Sequence, residues 1–256
     1  MINNVEKSSS TDNIKFKVIG IILAIIVLLT IMLYDVPVNQ SWSSWSLPLS
    51  GYIFVIDPGH GGPDGGAESR DGTQEKDITL NIARYLRDYL NEAGALVIMT
   101  RETDTDLASS STKGLSKRKL EDLKNRVSLA NESMADFYIS IHLNSIGSER
   151  WRGAQTFFYP VNKLNEEMAK SIQESLIINL QNTDRTPLPR NDILVLKYVE
   201  MPSTMVEVGF LSNPEEAKLL KDKDYQRKIA FAIYQGMLSY YSEKDTLEEE
   251  SSIQNN

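Results

Sequence analysis

The chain has 256 residues, a formal net charge of −8, no cysteine and two histidines, His60 and His142. A hydrophobic fraction of 41% with 24% charged residues describes a folded protein, one domain plus extensions. The lack of cysteine excludes disulfides, cysteine nucleophiles and thiolate metal sites; two histidines exclude a three-histidine zinc site within one chain. The acidic balance argues against nucleic acid as a partner.

Residues 1–17 carry a net charge of +1 and lead into 17 uncharged residues, 18–34, which Asp35 ends. Lysines before the run and none just after it place residues 1–17 in the cytoplasm and the rest outside. The run reads as an uncleaved transmembrane signal anchor, with a cleaved signal peptide as the alternative; no small-x-small cleavage site stands in Tyr34–Val38. Residues 35–50 read as a linker, where Trp42 and Trp45 suit either a membrane interface or the edge of the domain.

From Gly51 onward, short apolar runs alternate with stretches of helical period. Tyr52–Ile56 predicts a buried strand ending in Asp57-Pro58-Gly59. Ile78, Ile82, Leu86 and Leu90, stopped by Gly94, predict a helix. Ala95–Thr100 predicts a strand, Ser116–Ser133 a helix, Phe137–Leu143 a strand buried on both faces, and Ala154–Tyr159 a fourth strand. Pro160-Val161-Asn162 then leads almost directly into a helix marked by Leu164, Met168, Ile172 and Leu176. Ile193–Val199 and Ser203–Val208 predict two more strands, Asn213 before Pro214 a capped helix start, and Ile229, Ile233, Met237 and Tyr241 a terminal helix. Residues 243–256, net −4, have no apolar periodicity and read as a disordered acidic tail. The fold class is therefore α/β: a single domain, residues 51–242, with a central, largely parallel or mixed sheet flanked by helices and preceded by one membrane segment.

Three polar groups stand at the ends of these strands. The loop Asp57–Ala67 holds five of the chain's 14 glycines and follows the first strand, where open α/β sheets place ligands. It lacks the Gly-Lys-Ser/Thr of a phosphate loop and the dinucleotide spacing. His60 lies in this loop and His142 at the end of a later strand. If these strands are parallel neighbours, both imidazoles emerge on one edge, and a carboxylate would complete a metal site. Glu75, at the start of the following helix, is the candidate; Asp57 and Asp64 compete with it, and Asp57 suits better a role in fixing the loop or a histidine tautomer. Glu207 interrupts an apolar strand. An ionised carboxylate there requires a partner, and desolvation would make it a base near neutral pH; a buried ion pair with Arg101 or Arg190 is the structural alternative.

Val55-Ile56-Asp57-Pro58-Gly59-His60-Gly61-Gly62, Glu75, Ser140-Ile141-His142-Leu143-Asn144 and Val206-Glu207-Val208-Gly209-Phe210-Leu211-Ser212-Asn213 occur in one order. This pattern resembles the zinc-dependent N-acetylmuramoyl-L-alanine amidases of bacterial cell-wall turnover, amidase type 3, over about Gly51 to Tyr241. The resemblance implies Zn²⁺ held by His60, Glu75 and His142, Glu207 as the catalytic glutamate, and peptidoglycan as substrate. Asn144 is a candidate for orienting substrate or ligand. Leu143 replaces the alanine of many relatives at a position that strand alternation turns away from the metal. The short Pro160–Asn162 connection leaves no room for the inhibitory helix of some division-associated relatives. Within the family the chain is most similar to the germination-specific branch of endospore formers, which acts in making spore-cortex muramic lactam. That likeness implies an extracytoplasmic domain and leaves an accessory protein open. A zinc peptidase acting on stem peptides and an inactive, membrane-tethered wall-binding protein are the alternatives.

Overall fold

The computed structural model describes residues 6–33 and 47–254, with side chains over 15–31 and 47–242. Trp42, Trp45 and the segment Tyr34–Val38 lie outside the described residues. The chain divides into two compact units, 1–46 and 47–256.

The first unit contains helix α1 (Glu6–Leu33). Among the described residues no helix is long and apolar enough to cross a membrane; Tyr34, the last residue of the segment expected over 18–34, lies outside them.

In the second unit, β1 (Ile53–Pro58), α2 (Glu75–Glu92), β2 (Leu96–Met99), α3 (Leu115–Glu132) and β3 (Phe137–Asn144) follow in turn. Next come β4 (Gln155–Phe158), α4 (Lys163–Leu180), β5 (Leu188–Pro189), α5 (Leu194–Tyr198), β6 (Ser203–Phe210), α6 (Pro214–Lys221) and α7 (Lys223–Gln254). The strands form one six-stranded sheet in the order β2-β1-β3-β6-β4-β5, parallel throughout except where β4 runs against β6. A mixed sheet flanked by helices is the expected fold class.

Strand alternation sorts the side chains into two layers. Phe54 and Ile56 of β1, Phe137, Ile139, Ile141 and Leu143 of β3, and Val206 and Val208 of β6 join one apolar core with α2, α4 and α7. The intervening Val55, Tyr138 and Met205 face a smaller core with Ala130 of α3 and Val195 and Leu196 of α5. By the same alternation Asp57, His142 and Glu207 fall on this second face, at the carboxyl end of the parallel strands. Leu143 sits in the opposite core, as expected of a residue turned from the site.

Three expectations are corrected. Ile193–Val199 is not a strand: Leu194–Tyr198 forms the short helix α5, which buries Val195 and Leu196. A short continuous apolar run carries no period that separates a buried strand from a buried helix. The folded unit starts before Gly51, because Leu49 is fully buried and its N–H donates to Ala93 O at 2.9 Å. The acidic tail is helical through Gln254. Its glutamates, lysine and leucine are strong helix formers, and extending an existing helix avoids the cost of nucleation.

Asn213 caps α6 as expected, its Oδ1 accepting from the N–H groups of Glu215 and Glu216 at 3.0 Å each. Glu216 then does more than begin a helix. Its buried carboxylate accepts from Gly153 N at 2.9 Å and Phe210 N at 2.8 Å, tying the approach to β4 to the end of β6. Glu216→Ala leaves both N–H groups without this acceptor and is expected to lower the unfolding free energy by at least about 2 kcal/mol, with Glu216→Gln losing less. Urea denaturation of the full chain checks this: a fall in midpoint at constant m supports it, and an unchanged midpoint contradicts it.

Candidate metal centre

The site begins with the neighbourhood of β1 and β3. Gly59 N donates to Ile141 O at 2.9 Å, so the glycine loop leaves the sheet beside the strand that carries His142. Two glycines of that loop leave room for the site itself: a Cβ at Gly59 would overlap the His142 ring, and one at Gly66 would lie 2.5 Å from Glu75 Oε2. His60 itself has φ +62°, a left-handed conformation that costs a non-glycine residue about 1–2 kcal/mol.

Two buried arginines hold the loop in this shape. Arg126 of α3 donates through Nη2 to His60 O at 2.6 Å and through Nη1 to Pro58 O at 2.8 Å. The same Nη1 reaches Asp57 Oδ1 at 2.6 Å, and Nε reaches Asp122 Oδ2 at 2.9 Å. Arg101 donates to the carbonyls of Pro58, Gly59 and Lys76 at 2.8–3.0 Å. Asp57 also accepts from Thr100, Tyr138 and Ser140. Although burial alone would raise its pKa, Arg126 and these donors hold it well below the usual carboxylate range. Asp57 therefore fixes the loop, one of the two roles expected of it, and does not touch a histidine.

The tautomer role falls to Asp64. Its Oδ2 lies 2.8 Å from His60 Nδ1, which turns Nε2 toward the site. His60 Nε2 meets Glu75 Oε2 at 3.1 Å, and His142 Nδ1 meets Glu75 Oε1 at 2.9 Å. The two oxygens also accept from Ala67 N and Leu143 N, each at 2.8 Å. Glu75 thus belongs to the site, and its placement at the first residue of α2 is the means.

His60, Glu75 and His142 each offer one ligand atom, and these atoms lie within 4.8 Å of one another. The donor chemistry fits a divalent cation of the zinc type, with two imidazoles, one carboxylate and open coordination positions. The electrostatics agree. Burial lowers the His60 pKa, yet Asp64 and Glu75 push it up to about 9, so the surroundings favour positive charge there. Burial would raise the Glu75 pKa, but His142 and His60 hold it well below the usual range.

Glu207 pairs in register with His142 across β3 and β6, which brings its side chain to the same face. Neither arginine proposed as its partner pairs with it: Arg101 is turned to the loop carbonyls and Arg190 to Asp192. Its Oε2 is buried without a hydrogen-bond partner among the described residues, and desolvation pushes its pKa up to about 7. The group opens onto a cavity of about 290 Å³, also lined by His60, His142, Asn144, Lys119 and Arg190.

The strands and the glycine loop announced His60, Glu75, His142 and Glu207. Arg126 and Asp64 were not assigned these roles from the sequence. A signal for Arg126 exists: Asp122, Arg126 and Ala130, spaced by four, are the buried residues of α3. Asp64→Asn is expected to weaken zinc binding by about 10- to 100-fold, because Asp64 sets which nitrogen of His60 faces the site. Competition against a chromophoric chelator measures it; unchanged affinity contradicts the assignment.

The comparisons with known proteins converge on one family. Residues 54–239 match the amidase type 3 family, described as N-acetylmuramoyl-L-alanine amidase. The germination-specific N-acetylmuramoyl-L-alanine amidase of Bacillus subtilis (strain 168) is 53% identical over 230 residues, 90% of this chain and 97% of that protein. The structure of the CwlD amidase from Clostridioides difficile, solved in complex with the GerS lipoprotein, shares 42% identity and a TM-score of 0.73, covering 75% of this chain and 98% of that one. The catalytic domain of CwlV, an amidase from Bacillus (Paenibacillus) polymyxa var. colistinus, shares 30% identity and a TM-score of 0.65, covering 75% and 98%. With the family matching residues 54–239, well over half of its length, this chain belongs to the N-acetylmuramoyl-L-alanine amidases of type 3.

Proposed function

We propose that the chain hydrolyses the amide between the lactyl group of N-acetylmuramic acid and L-alanine in peptidoglycan, as a zinc enzyme of spore-cortex maturation that serves muramic lactam formation. The observation that carries the chemistry is the buried Glu207 Oε2, without a hydrogen-bond partner among the described residues, beside the His60–Glu75–His142 cluster. The similarity to a germination-specific amidase along nearly all of both chains supports the spore-cortex role.

His60, Glu75 and His142 would hold the zinc ion, which when bound supplies polarisation of the amide carbonyl and a water of pKa about 7. Glu207 takes the proton from the attacking water at its free Oε2 and hands it to the departing amine nitrogen of L-alanine. Asp64 keeps His60 in one tautomer throughout, and the Arg126 and Arg101 clamps keep the loop from relaxing out of its left-handed turn.

The apolar run of α1 is the export segment that delivers the domain outside the cytoplasm, retained as a tether or removed. Every described side chain from Lys15 to Ile31 is exposed, which leaves a continuous apolar surface for lipid or for the export machinery. The solved complex of the C. difficile relative with a lipoprotein supports an accessory lipoprotein for this chain as well.

One variant tests the assignment in two ways. Glu207→Gln is expected to lower turnover by about 10²- to 10⁴-fold, and the kcat/KM limb that falls as pH drops through about 7 or below disappears with it. The limb has this sign because only the ionised form accepts a proton, and a bound cation moves it to lower pH. The same raised pKa means that ionised Glu207 weakens the fold above about pH 7, so metal-free Glu207→Gln is expected to melt higher at pH 8. Digestion of spore and vegetative peptidoglycan with and without chelator, followed by muropeptide identification, reads the reaction. Intact stem peptides with free L-alanine amino termini support the amidase; internal stem-peptide cleavage supports a peptidase instead.

A further inference from the structure

One wall of the cavity beside Glu207 takes no part in the chemistry above. Arg190 follows β5, and its N–H donates to Phe158 O at 2.8 Å. In the order β6-β4-β5 its backbone lies two strands across from Glu207 and several residues along the sheet, since Gln155 is the β4 residue level with Glu207, and both side chains line the same cavity. The guanidinium carbon lies 5.6 Å from the centroid of the Phe157 ring. Its fork is presented to a carboxylate: Nε and Nη2 donate to Asp192 Oδ1 and Oδ2 at 2.7 and 2.6 Å, the two-point geometry by which arginine recognises carboxylates. Asp192 is 68% exposed and only two residues away, so solvent and salt screen this pair, and a second carboxylate arriving in the cavity competes with Asp192 for the same fork.

Resting on the amidase reading, we propose that Arg190 is a specificity-determining residue whose guanidinium binds the free α-carboxylate of the second stem-peptide residue, a D-glutamate linked onward through its γ-carboxyl. The scissile amide has to lie between Glu207 and the His–Glu–His cluster. Two extended residues cover about 7 Å from that point, which carries the α-carboxylate toward the β5 side of the cavity, within reach of a long side chain. The acids that line the cavity, Asp57, Asp64, Asp122 and Glu207, leave few of its cations free to receive a substrate carboxylate. Three cations line the cavity. Arg126 is buried against Asp57 and Asp122, and Lys119 lies 3.2 Å from Asp64, which is itself committed to His60. Arg190 alone of the three holds a partner that plays no part in the site.

The test uses the zinc-loaded full chain and glycan strands whose second stem-peptide residue carries either a free α-carboxylate or an α-carboxamide. Arg190→Ala is expected to raise KM for the carboxylate substrate by about 10- to 100-fold, with kcat unchanged, and to leave the carboxamide substrate unaffected. Arg190→Lys, which keeps the charge without the fork, falls between, and Asp192→Asn lowers KM for the carboxylate substrate. Equal changes on both substrates, or none on either, overturn the proposal. Calorimetry with the product peptide L-alanyl-γ-D-glutamate and its α-amide separates this from the amidase reading. A preference for the acid form that vanishes in Arg190→Ala supports the carboxylate site even if neither glycan is cleaved at the lactyl amide, a result that would sink the amidase reading alone. No preference overturns the site whatever the enzyme cleaves.

Discussion

The Glu75 carboxylate is buried at the first residue of α2, where it meets both histidine rings and accepts from the backbone N–H groups of Ala67 and Leu143. Removing an ionised carboxylate from water costs several kcal/mol, and only a full set of charged or polar partners offsets it. Here those partners come from three separate places, the glycine loop, the far end of that loop and β3. The carboxylate therefore closes the loop onto the sheet as well as completing the donor set. Both glycines that approach it or its neighbours most closely, Gly59 and Gly66, leave room for this convergence.

What Glu75 does for the ligands, Arg126 and Asp57 do for the backbone beneath them. Arg126 sits on the buried face of α3 and binds Asp57, Asp122 and two loop carbonyls at once. Removing one member of such a buried pair ordinarily costs about 3–5 kcal/mol. That is more than the strain of His60 at φ +62°, so the loop can be held in a shape it would not adopt alone. Glu207 stands in contrast. Its buried Oε2 lacks a hydrogen-bond partner among the described residues, as do Asn182 Oδ1 and Gln226 Oε1, but Glu207 is the ionisable one of the three, where stability has been given up for reactivity.

Much of this was legible in the residues because period 2 carries so far in a parallel sheet. Once β1, β3 and β6 are recognised, alternation alone puts Asp57, His142 and Glu207 on one face and Leu143 on the other. With no cysteine and two histidines, a zinc site within one chain has to use both imidazoles and a carboxylate. Contacts across long sequence separations were not legible. Asp64 and Asp57 are both acids in the same loop, and only its folded path shows that Asp64 reaches the imidazole while Asp57 turns inward to Arg126. Nor could composition decide Ile193–Val199, since a five-residue helix that buries Val195 and Leu196 and a buried strand both open on the same apolar run.

The central claim is that one zinc ion is held by His60, Glu75 and His142 together. X-ray absorption spectroscopy of the chain loaded with one equivalent of zinc tests it most directly. The account predicts a shell of two imidazole nitrogens at about 2.0–2.1 Å with oxygen neighbours at about 2.0–2.2 Å, and loss of one imidazole in either histidine variant. A spectrum with fewer than two imidazoles, or one that is unchanged when His60 or His142 is replaced, would contradict it.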